Sequence, residues 1–351
     1  MQNTFQKKTF ISYIMGTVLF LTLITVWEMH WKAKPVYNAH LDDDRDLWAT
    51  QRKELENATS EDIVILGSSR TAFNFRTYVW EEMTGRKPIN LSGDGRSPIP
   101  VLTDILKNTD YDGTLVVGVT PAIFFAPKGS DRYVSAQQWV DYYYNQTYAQ
   151  KLSFWVSKPL QRNLVMLTAT ELDFKNDLDL RSVIDNLPIK GRLPYNPGLP
   201  KFGHNDEDRN IYMYEAMVTD TTFRNQVRNM WMSFLPKLPT YEAIEVVYDP
   251  WIPQIGELLQ EFENRGGKVI LIHHEAEGPW LKNFERFLPK ARVWDKLVES
   301  CKCTAYHFSD YDFMSQYNLP DWSHLSAHDA PEYTKLMVQQ LIDDGHLKPN
   351  N

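Results

Sequence analysis

The chain opens with an apolar stretch, residues 9–27, that contains no charged residue and no proline across 19 positions. Roughly 20 apolar residues in a helix span the hydrocarbon core of a bilayer, so the pattern predicts a transmembrane helix. A polar segment rich in Asp, Glu and Arg follows at 37–59 and suits a juxtamembrane helix that lifts the rest of the chain off the bilayer. Then the period changes. Short, nearly continuous apolar runs recur at 62–67, 88–91, 114–119, 268–273 and 304–308, as expected of strands covered on both faces. Helical spacing falls between them. Ile99, Leu102, Ile105 and Leu106 share one stripe; Ile252, Ile255, Leu258, Leu259 and Phe262 share another, which ends at Gly266-Gly267, a natural helix stop. A last helix is predicted over 330–343, with Tyr333, Leu336, Met337 and Leu341 facing inward.

Strands alternating with helices indicate a parallel sheet with right-handed crossovers. Between 126 and 249 the alternation stops, in a segment rich in Tyr, Trp, Asn and Pro. Helices are expected around 136–151 and 220–235, and 186–210 reads as an irregular loop. This insertion is either a lid or substrate-binding subdomain beside the sheet edge, where loops shape sites, or a structural elaboration. No internal repeat is evident.

The apolar run ends in Thr25-Val26-Trp27-Glu28-Met29-His30-Trp31 with no Ala-x-Ala, unlike a cleaved signal peptide. Trp27 and Trp31 fit an interfacial aromatic belt. We therefore read an uncleaved signal anchor. Lys7 and Lys8 favour a cytoplasmic N-terminus, Lys32 and Lys34 oppose it, and flanking charge alone leaves orientation open. A net charge of −8 argues against nucleic acid as a partner, since phosphate binding needs a basic face. The two cysteines, Cys301 and Cys303, would close a very tight ring, so free thiols or a labile pair are expected.

The candidate chemistry lies in two distant segments. Ile63-Val64-Ile65-Leu66-Gly67-Ser68-Ser69-Arg70 is a buried-type strand ending in Gly-x-Ser, and Asp321-Trp322-Ser323-His324-Leu325 precedes the last helix. Open α/β sheets bind ligands at the C-terminal edge of their strands. A serine presented there, with an Asp and a His three residues apart, supplies nucleophile, base and orienting carboxylate. Ser69 could alternatively be a helix N-cap, with Asp321 and His324 serving the last helix's start and packing. His324 and His328 stand four apart, but no His-Glu-x-x-His pattern accompanies them, and we read no metal site and no cofactor.

These two segments resemble the first and last sequence blocks of the SGNH (GDSL-type) hydrolase superfamily. The resemblance implies a flavodoxin-like three-layer α/β/α sandwich with a parallel five-stranded sheet. It casts Ser69 as nucleophile, Asp321 as orienter and His324 as base; Ser68 stands where the family often has Asp. Asn90-Leu91-Ser92-Gly93-Asp94-Gly95 resembles the second block, which assigns Gly95 an oxyanion-donating amide with Gly93 as fallback, beside the amide of Ser69 itself. The third block departs: Gly118-Val119-Thr120-Pro121 places Thr120 where the family has an Asn donor. Some membrane-anchored relatives lack that Asn, notably those resembling the teichoic acid D-alanylation and alginate O-acetylation proteins. This branch implies a membrane-bound O-acyltransferase partner and an envelope glycan or polymer substrate. Arg70, His273 and His274 are candidate substrate contacts, Arg70 equally a surface salt-bridging residue.

The expected organisation is a cytoplasmic 1–8, a transmembrane 9–27, a juxtamembrane 28–60, an SGNH-like catalytic domain over 61–125 and 250–351, and the insertion 126–249. That domain is expected outside the cytoplasm, on the plasma or inner membrane. A membrane-anchored acyltransferase or esterase is the leading expectation; an esterase or lipase of soluble substrates and a non-catalytic polymer-binding subunit are the alternatives.

Overall fold

The computed structural model describes residues 2–33, 39–167, 202–235, 246 and 248–350. It divides into two bodies, Met1–Asp42 with Ser153–Lys201, and Asp43–Leu152 with Phe202–Asn351.

In the first body, α1 (Gln2–Lys32) continues past both ends of the apolar run. Residues Gln6–Lys32 are long and apolar enough to cross a membrane, by length and composition. The far end of the helix is not bare. The Glu28 carboxylate accepts from the backbone N–H groups of Val165 (3.0 Å) and Met166 (2.9 Å), and Trp31 and Val165 are buried together.

The second body begins with α2 (Arg45–Glu54), whose first turn is capped by the Asp44 carboxylate. This segment was expected to be a spacer. Instead Leu47 and Trp48 are fully buried, and Arg52 forms a buried ion pair with Asp104 (2.6 Å). One of the charges that made 37–59 look solvated, Arg52, is consumed inside, while Arg45, Lys53, Glu54 and Glu56 stay exposed.

The chain then alternates: β1 (Ile63–Leu66), α3 (Ser69–Asn74), α4 (Thr77–Thr84), β2 (Ile89–Asn90), α5 (Ile99–Asn108), β3 (Thr114–Gly118), the one-turn α6 (Pro121–Phe124), α7 (Asp131–Asn145) and α8 (Tyr148–Asn163), which crosses into the first body. After the undescribed stretch come a hairpin, β4 (Gly203–Asn205) and β5 (Ile211–Met213), then α9 (Glu215–Thr219) and α10 (Thr221–Phe234). The sheet resumes with α11 (Trp251–Asn264), β6 (Lys268–His273), α12 (Gly278–Phe287), α13 (Lys290–Cys301) and β7 (Thr304–His307), and α14 (Ala330–Asp343) closes the chain. The hairpin occupies part of the expected loop 186–210; residues 186–201 lie outside those described.

The five-stranded sheet is parallel throughout, in the order β2-β1-β3-β6-β7, the flavodoxin-like arrangement. Side chains alternate across a strand, and each apolar run is thereby split between two cores. Val64, Leu66, Leu115, Val117, Val269 and Leu271 meet α5, α11 and α13 on one face. Ile63, Ile65, Val116, Ile270 and Ile272 meet Trp80 and α14 on the other. Continuous hydrophobicity was therefore a record of two-sided coverage. Cys301 and Cys303 are free and buried.

Strand order places a topological switch between β1 and β3, where a crevice opens at the strands' carboxyl ends. Thr71 of α3 packs down into it between Gly67 and Gly118. A Cβ on Gly67 would stand 2.7 Å from Thr71 Cβ, closer than packed carbons tolerate, so glycine lets α3 begin this near the sheet. Gly67→Ala is expected to cost roughly 1–3 kcal/mol through overpacking, read as a lowered melting temperature. It should also displace Ser69, two residues on.

Candidate active site

Gly67 turns the chain out of β1, and Ser68 takes the N-cap position of α3 without a side-chain capping bond. Ser69 is therefore the first helical residue, not the cap. In a stretch that is otherwise buried from Ile63 to Arg70, it alone is partly exposed. Its Oγ lies 2.9 Å from His324 Nε2, and His324 Nδ1 lies 2.6 Å from Asp321 Oδ2. Residues separated by 255 positions thus share one hydrogen-bonded chain.

Asp321 is fully buried and each oxygen is used. Oδ1 accepts from the backbone N–H groups of Ser323 (3.1 Å) and His324 (2.9 Å), a local turn of the kind Asp side chains build. That turn holds Trp322 at φ +68, a left-handed conformation unfavourable for a bulky residue. Oδ2 receives His324 Nδ1–H and the indole N–H of Trp231 (3.1 Å). Burial alone would raise the Asp321 pKa, but the His324 ring and the N–H donors outweigh it and hold the carboxyl below its ordinary range. Since Nδ1–H points at a carboxylate, Nε2 is left to accept from the Ser69 hydroxyl.

The turn is pinned to α3 from the other side. Leu325 N–H donates to Asn74 Oδ1 (3.1 Å), and the Thr334 hydroxyl of α14 donates to Asn74 O (3.1 Å). Rings close over the imidazole: Phe73 at 4.4 Å, Phe202 at 5.8 Å and Trp231 at 6.2 Å between centroids. Phe202 and Trp231 come from the 126–249 insertion, whose later part packs on Phe73 of α3. Asn74, Phe202 and Trp231 were missed in the sequence. Asn74 sits five residues after Ser69, but nothing about a lone Asn marks it.

The candidate oxyanion donors fare differently. The Ser69 amide opens α3, where a helix leaves its first N–H groups without an intrahelical acceptor. The Gly93 amide is consumed by Gly67 O (3.0 Å), which removes the fallback and leaves Gly95, at φ +62. Thr120 follows β3 at the N-cap position of the one-turn α6 without a capping bond, and its buried hydroxyl pairs with that of Ser68 (2.9 Å) across the switch point. The shorter side chain thus spends its hydroxyl on the residue preceding Ser69.

Arg70 corrects its surface reading, being buried beside the Asp321–His324 turn. It is 2% exposed, donates from Nε to Ser323 Oγ (3.0 Å) and stacks on Phe284. Burial lowers its pKa to about 10, opposed by Asp321, so it remains a cation behind the triad. His274 is likewise buried and bonded through Nδ1 to the Tyr333 hydroxyl (2.7 Å), out of a substrate's reach. His273 is buried with Nδ1 on His274 O; it borders a cavity of about 230 Å³ with His307, Trp294 and Phe284 on the β6–β7 side.

No family model and no curated protein matches the chain. Among solved structures, the lipase/acylhydrolase from Enterococcus faecalis is similar over 83% of this chain and 99% of that one, at 12% identity with a TM-score of 0.30. So loose a likeness assigns no chemistry.

Three buried imidazoles are expected to contribute acid sensitivity. Burial pulls His274 down to about 3 and His307 to about 4, and holds His273 well below the ordinary range, with His307 adding to it. In the unfolded chain each binds a proton near pH 6.5, so between about 6.5 and 4 these three groups hold more protons in the unfolded state, opposed in part by Asp94 and Glu275, whose pKa values burial raises to about 6 and about 7. Melting temperature is therefore expected to fall as pH drops through that window. His274→Asn, which binds no proton, should make the fall shallower.

Proposed function

We propose that the protein is a membrane-anchored serine acyltransferase or esterase that works on ester-linked acyl groups of an envelope glycan or polymer. The observation carrying this reading is the Ser69–His324–Asp321 chain, with bond lengths suited to proton transfer and a serine that alone reaches solvent. Ser69 Oγ attacks the ester carbonyl while His324 Nε2 takes its proton. The oxyanion that forms is met by the amides of Ser69 and Gly95, with the Ser68–Thr120 hydroxyl pair adjacent. Collapse breaks the bond to the leaving alcohol, which receives the proton back from His324, and the acyl group stays on Ser69. His324 then deprotonates an acceptor hydroxyl, which attacks the acyl-serine and releases Ser69. Asp321 keeps the imidazole in its working tautomer and stabilises the imidazolium.

The acceptor decides between transferase and esterase. An anchor favours transfer, because a tethered enzyme collects acyl groups at the membrane, from a membrane-bound O-acyltransferase in the arrangement proposed. The catalytic body then faces away from the cytoplasm, where such polymers are.

A serine-reactive fluorophosphonate, read by intact mass, tests the reading. Wild type should gain one adduct, and Ser69→Ala none. Asp321→Asn, which inverts the tautomer preference, should label about 10⁴-fold more slowly. An unlabelled but folded wild type would reject the acyl-serine mechanism. With an aryl ester as donor, a sugar acceptor that speeds turnover and appears acylated identifies a transferase; turnover indifferent to it identifies an esterase.

A further inference from the structure

The helix α8, YAQKLSFWVSKPLQRN, contains no buried residue. Its large apolar side chains are bare: Tyr148 is 92% exposed, Leu152 61%, Trp155 73%, Val156 48% and Leu160 46%. Successive positions of a helix are turned by roughly 100°, so these residues with Pro159 fill one continuous arc. Lys151, Lys158 and Arg162 fall within about 40° of each other, on the flank next to Trp155. The remaining sector, with Phe154, Ser157 and Gln161, is only partly exposed. An apolar arc carrying a tryptophan and edged by cations is the composition of a helix lying in a membrane interface.

The position of α8 agrees with its composition. Asn163 is two residues from Val165, whose N–H is held by Glu28 at the end of the apolar run of α1. Gln161 Oε1 accepts from Asp42 N–H (3.2 Å), and Trp31 is buried against Val165. The C-terminal end of α8 is thus fastened where α1 leaves the hydrocarbon, and Trp155 lies only about 12 Å back along the helix. A surface held that close to the headgroups meets lipid before it meets any soluble partner.

We propose that α8 is an interfacial helix. Its Leu152, Trp155, Val156 and Leu160 face sits in the headgroup–acyl boundary of the leaflet from which α1 emerges, with Lys151 at its edge toward anionic lipid phosphates. The inference rests on reading α1 as a membrane anchor. Two attachments then constrain the first body, where a single helix would leave it free to swivel.

Spin labels on the full chain, reconstituted in phosphatidylcholine–phosphatidylglycerol nanodiscs, test this. Val156→Cys and Leu160→Cys are compared with Leu19→Cys in α1 and Lys107→Cys on α5, an exposed aqueous reference. The chain with only its buried Cys301 and Cys303 is the labelling background, and unchanged melting temperatures establish folding. Collision with oxygen relative to a water-soluble nickel chelate should be several-fold higher at 156 and 160 than at 107, approaching that at 19. Water-like ratios at 156 and 160 with a lipid-like 19 would overturn the interfacial helix and leave the anchor standing. A water-like 19 would overturn the anchor reading and this one with it. Labels at 156 and 160 shielded from both reagents would mean a second copy of the chain covers the face, which also overturns the proposal.

Discussion

A carboxylate with no exposure to water is expensive unless donors surround it, and the buried Asp321 imposes that condition on everything near it. Its four N–H donors come from its own turn, from the His324 ring and from Trp231 in the insertion. Each fixes something else. The turn bonds force Trp322 into a left-handed conformation, the ring bond selects the His324 tautomer, and the indole bond carries α10 over the imidazole. Arg70 adds a buried positive charge on the far side and steadies Ser323. The strain at Trp322 and the burial of Arg70 are costs tolerated because the carboxylate's demands are met.

The sheet supplies the other half. A parallel order with its switch between β1 and β3 brings Ser68 and Thr120 to touching distance, and Gly67 lets α3 start hard against the strands. Asn74 then ties the end of α3 to both the Asp-x-x-His turn and the last helix. Ser69 and His324 are therefore aligned by packing at both ends of one short helix, and their 2.9 Å contact does not depend on a flexible loop.

Much of the scaffold was legible because two-sided burial leaves unbroken apolar runs; all five strands and the helices Ile99–Asn108, Trp251–Asn264 and Ala330–Asp343 declared themselves this way. Ser69, Asp321 and His324 could be picked out because they adjoin such elements in a recognisable order. What escaped notice depends on tertiary contacts with no local period. The polar 45–54 helix looked solvated, since a buried Arg52–Asp104 pair reads in sequence as two surface charges. His274 and Arg70 looked available for the same reason. Trp231 and Phe202 lie in the aperiodic insertion, where an aromatic that covers a site is indistinguishable from one that fills a small core.

The separation of 255 positions between Ser69 and His324 also bears on how the chain is born. Synthesis proceeds from the N-terminus, so Ser69 emerges while Asp321 and His324 are still to be made. Until that final stretch folds back onto α3, the serine is an ordinary hydroxyl with no base beside it. A chain halted before Asp321 would hold the serine without the imidazole and carboxylate that join it in the folded protein.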